Sequence, residues 1–104
     1  MIVEERNYSF ALGDIARFVE LYEKEGVQIA TRQLGYLIGY FRTEVGPDLN
    51  EFVHLWGFID FEDRAARRRA LWADPEWLDF VTRCPLPVRQ RNRLFTPAAW
   101  SPIR

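Results

Sequence analysis

The sequence predicts an α+β fold of the ferredoxin-like type, βαββαβ, with a four-stranded antiparallel sheet and its helices on one face. Three observations lead there. Segments of period two and period 3.6 succeed one another in the order strand, helix, strand, strand, helix, strand. Gly46-Pro47-Asp48 makes a turn between the two middle strands, because Gly permits unusual backbone angles and Pro fixes φ. The chain has 104 residues, 48% hydrophobic and 15% aromatic, which suits one domain over 1–104 with a core of large rings.

Each element has its own signal. Residues 2–10 alternate Ile2, Glu4, Arg6, Tyr8 and Phe10 against Val3, Glu5, Asn7 and Ser9, a strand pattern with one richer apolar side. Gly13-Asp14 opens a helix whose Ile15, Phe18, Leu21 and Tyr22 share a face, and Gly26 loosens its end. Leu34 to Val45 reads as a long strand, within which Gly35 and Gly39 mark a bulge or close packing. Glu51 to Asp60 is the next strand, with Phe52, His54, Trp56 and Phe58 on one face and Val53, Leu55, Gly57 and Ile59 on the other. Residues 61–72 form an Arg- and Ala-rich helix. Asp74-Pro75 restarts a helix, with Asp as cap and Pro at its first position, and Trp77, Phe80 and Val81 on the buried side. Residues 88–95 alternate as the last strand, and the tail after it is extended.

Composition narrows the function classes. The single cysteine, Cys84, excludes an intramolecular disulfide and fits a reducing, cytoplasmic setting. The N-terminus has no secretory pattern, and no apolar run is long enough to span a membrane, so no membrane insertion is expected. Net charge is −1, yet residues 1–63 hold twelve acids and five bases while 64–104 hold three acids and nine bases. Docking of the two halves, on each other or on a second copy, accounts for this asymmetry without nucleic acid, which usually takes a basic domain. The middle strands are apolar on both faces and helices cover only one. The other face is therefore expected to be buried in a homodimer.

Several stretches carry a family resemblance. They include Met1-Ile2-Val3-Glu4-Glu5-Arg6-Asn7-Tyr8, the Gly13-led helix, and Gly39-Tyr40-Phe41-Arg42-Thr43-Glu44-Val45-Gly46-Pro47. His54-Leu55-Trp56, Asp63-Arg64, Arg68-Arg69, Ala73-Asp74-Pro75-Glu76-Trp77, Thr96-Pro97 and Ser101-Pro102 continue it in order. On these residues the chain resembles the NIPSNAP domain, a member of the dimeric α+β barrel superfamily. It departs from that pattern at Asp48, which lengthens the hairpin turn, and at Arg89, Arg91 and Arg93 in the last strand. The resemblance implies fold and dimerisation more than chemistry: two sheets packed face to face with helices outside, and no established reaction. Superfamily relatives include small cofactor-independent monooxygenases, a likeness of fold that does not carry function.

Chemistry centres on His54, the sole histidine. Its neutral-range titration suits a general acid or base, and the alternative is a core histidine hydrogen-bonded to a neighbour. Arg6 and Tyr8 share one side of the first strand; Tyr36, Tyr40 and Arg42 share one side of the second. Converging with His54 and Trp56, they would form a pocket of a few donors in an aromatic wall, suited to a small anionic or carbonyl-bearing ligand. Alternatively, these Tyr and Arg residues seal a dimer interface. Arg89, Arg91 and Arg93 form a basic ladder, either for phosphate or as a solvated face paired with acids of the first half. Arg64, Arg67, Arg68 and Arg69 read as an exposed helix face. One His and one Cys offer no metal site, and no cofactor is expected. Two functions remain open: a ligand-binding or interaction module of no established reaction, or a small cofactor-independent enzyme, monooxygenase- or isomerase-like, with His54 as acid/base in a barrel pocket.

Overall fold

Residues that alternate in the sequence are the ones that pair in the sheet. The computed structural model describes residues 1–104. Its strands are β1 (Ile2–Ser9), β2 (Tyr36–Arg42), β3 (Glu51–Phe58) and β4 (Arg89–Phe95), paired antiparallel in the order β2-β3-β1-β4. The fold is α+β with a four-stranded antiparallel sheet, and its strand order is that of a ferredoxin-like βαββαβ chain. Facing residues Tyr40, His54, Arg6 and Asn92 make one row across all four strands. That row anchors the candidate site.

Helices cover the face that carries Phe52, Trp56 and Phe58. They are α1 (Asp14–Leu21), α2 (Val27–Leu34), α3 (Phe61–Ala73) and α4 (Pro75–Arg83). The core they close contains Ile15, Phe18, Ile29, Leu34, Leu71, Trp77 and Phe80 against Phe10, Phe52 and Trp56. Trp56 is 0% exposed at its centre. Asp60 caps α3 by accepting from the Asp63 N–H, and Asp74 caps α4 by accepting from the Glu76 N–H, with Pro75 at the first position. Hydrogen bonds from Gln33 and Arg32 hold the Asp74 carboxyl down to about 2, which ties the end of α2 to the start of α4.

The first helix does not loosen at Gly26. It passes through a π-helical turn, Tyr22–Gly26, and continues as α2 to Leu34. Gly26 is required by close approach rather than by helix ending: a Cβ there would lie 2.5 Å from the Phe80 ring. The wider turn rotates α2 about the helix axis by roughly 100°, one residue's worth of an α-helix. This brings Ala30 and Leu34 into line with Phe18 and Tyr22, all buried. Gly35, at φ 89°, ends α2, so β2 begins at Tyr36 rather than Leu34. It also stops at Arg42, short of Val45, and Asp48 secures the connection by accepting from Ser9 Oγ and the Asn50 N–H.

A register shift between Leu37 and Gly39 changes the faces of β2. Leu37 pairs with Trp56 and Tyr40 with His54, whereas Tyr36 pairs with Gly57. Tyr36 and Tyr40 therefore point to opposite faces, correcting the expectation that Tyr36, Tyr40 and Arg42 share one.

No helix covers the second sheet face. At one end Val3, Ile38, Leu55 and Phe95 border a groove with Pro97, Ser101 and Ile103 of the tail. At the other end Glu5, Asn7, Glu51, Arg91 and Arg93 form a polar patch. Arg93 pairs with Glu5 at 2.9 Å and Arg91 approaches Glu51 at 3.9 Å, so the ladder of the last strand meets acids of the first half within the chain. No helix is long and apolar enough to cross a membrane.

Candidate functional site

Alternation along β1 sends Glu4, Arg6 and Tyr8 to the helix-covered face. Helical spacing on α3 sends Arg64, Arg68 and Leu71 toward them, one turn apart. The two rows meet over Glu4, which is 1% exposed. Arg64 donates to both Glu4 oxygens at 3.2 and 2.8 Å, and Arg6 Nη1 donates to Oε2 at 3.0 Å. Burial pushes the Glu4 carboxyl up, but Arg64 and Arg6 outweigh it and hold the group below its ordinary range. Arg68, one turn beyond Arg64, is half-buried and has no hydrogen bond or ion pair. Burial and the neighbouring Arg6 charge lower its pKa.

Beside these guanidinium groups, between sheet and helices, is a cavity of about 180 Å³. Arg6, Tyr8 and His54 form its floor on the sheet; Arg68, Leu71, Trp77 and Phe80 form its roof on α3 and α4. Phe18, Tyr22 and Leu34 close the inner end, and Trp72, Leu86 and Gln90 stand at its exposed rim. Cys84 also lines it, with burial pushing the thiol up to about 11, so it is present as thiol rather than thiolate. No acidic residue lines the cavity.

His54 is held on every side. Phe52 and Tyr40 stack on its ring at centroid distances of 5.4 and 5.7 Å, and Tyr8 meets it edge-on at 5.0 Å. Trp56 Nε1–H donates to His54 Nδ1 at 2.8 Å. An indole only donates, so Nδ1 carries the lone pair and the neutral ring's proton sits on Nε2. Burial, with the charges of Arg6 and Arg68, pulls the His54 pKa down to about 3. The imidazole is therefore neutral near pH 7, and its buried Nε2 has no partner. Trp77 Nε1, on the opposite wall, is likewise buried without a partner.

Of the residues singled out in the sequence, Arg6, Tyr8 and His54 come together in the cavity. Tyr40 and Trp56 stand behind His54, the first stacked on it and the second hydrogen-bonded to it. Arg42 does not join them: it lies exposed at the far end of edge strand β2, opposite Phe52. Tyr22 was not singled out for this role. Its hydroxyl is 3.0 Å from that of Tyr40, and burial raises the Tyr22 pKa well above normal while Tyr40 is pushed up to about 12. Arg64 and Arg68 were expected on an exposed face; their spacing with Leu71 is the signal that places them inward.

Comparison with known proteins places this architecture. The NIPSNAP family model matches residues 3–102. The chain belongs to the NIPSNAP family. Human NipSnap homolog 3A is 32% identical over 93% of this chain, which corresponds to 39% of that protein. This NIPSNAP chain thus spans about two fifths of the length of that curated relative. Protein Atu4242 from Agrobacterium tumefaciens is 41% identical with a TM-score of 0.95, each chain covered over 100%. A NIPSNAP-like domain protein from Burkholderia xenovorans is 48% identical with a TM-score of 0.91, over 97% of this chain and 88% of that one. None of these names carries a reaction. A putative antibiotic biosynthesis monooxygenase from Nitrosomonas europaea, 16% identical with a TM-score of 0.64 over 93% of this chain and 98% of its own, shares the fold alone.

Proposed function

We propose that this NIPSNAP chain is a ligand-binding module whose cavity under the helices receives a small organic molecule. The observation that carries this reading is the pair of unpartnered N–H groups, His54 Nε2 and Trp77 Nε1, on residues that line one apolar cavity. A buried donor without a partner costs about 1–3 kcal/mol, a cost that a bound acceptor removes. The alternative, His54 as acid/base, is disfavoured by the same geometry. A base at the cavity needs a lone pair on Nε2, where the Trp56 hydrogen bond puts a proton, and a pKa of about 3 leaves the ring little affinity for another. Arg6, Tyr8 and His54 contact the ligand in this reading, and Tyr40 and Trp56 orient His54.

The module works as a homodimer joined through the sheet face that no helix covers, where Phe41 and Tyr36 are more than half exposed. Cytoplasmic placement agrees with a lone thiol, and the partly neutralised arginine ladder gives no reason to invoke nucleic acid. Native mass spectrometry of gently purified protein tests both parts. The expected species is a dimer with extra mass on each chain, or a bare dimer whose tryptophan fluorescence responds to small aromatic and aliphatic compounds. A monomer overturns the dimer. Bare chains that no compound perturbs overturn the ligand.

A further inference from the structure

The cavity's polar groups restrict the chemistry of what it holds. Trp77 Nε1–H is donor only, His54 presents Nε2–H because its Nδ1 is taken, and Arg6 and Arg68 are cations. Glu4 is the nearby carboxylate, and both its oxygens are occupied by Arg64 and Arg6. Two guanidinium groups thus share the one carboxylate, and Arg68 is left without a counter-ion on the cavity wall. A partly buried cation is costly unless paired, and a planar carboxylate matches the guanidinium fork with two parallel hydrogen bonds. The rest of the lining is mostly carbon, chiefly Leu71, Phe80, Trp72 and Trp77, with the Tyr8 hydroxyl already accepting from Arg6 and Gln90 out at the rim. At about 180 Å³ the space is below the roughly 300–1,000 Å³ of drug-sized sites, too small for a nucleotide or an acyl lipid.

From this we infer that the ligand is a small organic monocarboxylate, its anionic head on Arg68 beside His54 and a ring-sized apolar body against Leu71, Trp77 and Phe80. The inference rests on the proposed ligand-binding function and adds the charge and size of the ligand. A single charge is expected because no further cation lines the cavity away from Arg6 and Arg68.

The test compares phenylacetate with its neutral isostere phenylacetamide, tracked through the fluorescence of Trp72 and Trp77 and by calorimetry. The expected result is binding of phenylacetate on the order of tenfold or more tighter than the amide, the usual worth of a charge-assisted hydrogen bond. Arg68→Gln, which removes no bond of the folded chain, is expected to abolish that preference by weakening phenylacetate far more than the amide. Equal binding of the two probes by the unaltered protein overturns the carboxylate and leaves the ligand-binding reading standing. Binding of neither probe at millimolar concentration overturns the carboxylate inference; if the broader compound panel also fails, the ligand reading falls with it. Since the probe comparison uses the unaltered chain, the outcome does not depend on the variant folding.

Discussion

Glu4 and Glu5 are neighbours in sequence and face opposite sides of one sheet. Each pairs with arginine, Glu4 with Arg6 and Arg64 and Glu5 with Arg93. Glu4 is sealed under α3, whereas Arg93 at the Glu5 pair keeps 66% of its side chain exposed. Similar ion pairs therefore have different energetic weight. Under the helices, losing one partner leaves charges buried; on the other face water and salt substitute for it. Chemistry concentrates where substitution is impossible, and the cavity with its unpaired Arg68 lies on that side.

The largest expected effects belong to the helix-covered face. Trp56→Ala should cost about 3–5 kcal/mol of unfolding free energy in urea, a large-to-small core substitution that also strips His54 of its hydrogen bond. Glu4→Gln should cost about 3 kcal/mol or more, because Arg6 and Arg64 then lose their shared carboxylate. Acid comes next. The His54 pKa is depressed to about 3 in the folded chain, against an ordinary value near 6.5. Between those values the unfolded chain binds a proton that the folded chain refuses, so stability falls as pH drops. The loss is about 2 kcal/mol by pH 5, and His54→Gln should flatten that part of the stability–pH curve. A curve unchanged by the substitution would mean that His54 is not shielded.

On the uncovered face Glu5→Gln should cost less than about 1 kcal/mol and lose even that in high salt. Dilution sharpens this contrast. A cost for Glu5→Gln comparable to that of Glu4→Gln, present in concentrated protein and lost on dilution, would mean that a second chain covers the patch. The smallest effect is at Arg68. Arg68→Gln should leave the melting temperature nearly unchanged, since no partner is lost, and a marked drop would reveal a structural bond for that side chain.

How much of this was readable in the sequence depended on how strictly local each signal is. The strand alternation of β1, β3 and β4 and the Asp74-Pro75 start of α4 depend on adjacent residues, and they read correctly. Residues 27–34 did not, because the π turn breaks the 3.6 period just where Gly26 imitates a helix end. Tyr36 was assigned to the wrong face because one extra residue in β2 is invisible in a pattern of Tyr, Leu, Ile and Phe. Strand parity put Arg6 and Tyr8 on one side of β1, but their meeting with His54 depends on the β1–β3 register, which alternation within one strand does not encode. Arg68 was hidden as one of four clustered arginines, where a surplus of charge looks like a solvated surface. The cavity itself depends on the distance between α4 and the sheet, which no local pattern encodes.

Two of these irregularities are the same event in different secondary structures. The π turn adds a residue to a helix, and the bulge adds one to an edge strand. Tyr22 opens the first and Tyr40 comes just after the second, and their hydroxyls touch at 3.0 Å behind His54. The pair sits where two shifts of phase have to agree. Deleting one residue from the π turn would restore a plain α-helix that keeps Ala30 and Leu34 on the core side, since seven residues at about 100° match eight with one absorbed by the turn. Deleting Ile38 would leave a regular strand in which Leu37 still faces Trp56 and Tyr40 still faces His54. Each segment therefore carries one residue more than its period needs, so the chain should accept the loss of that residue far more readily than the gain of another.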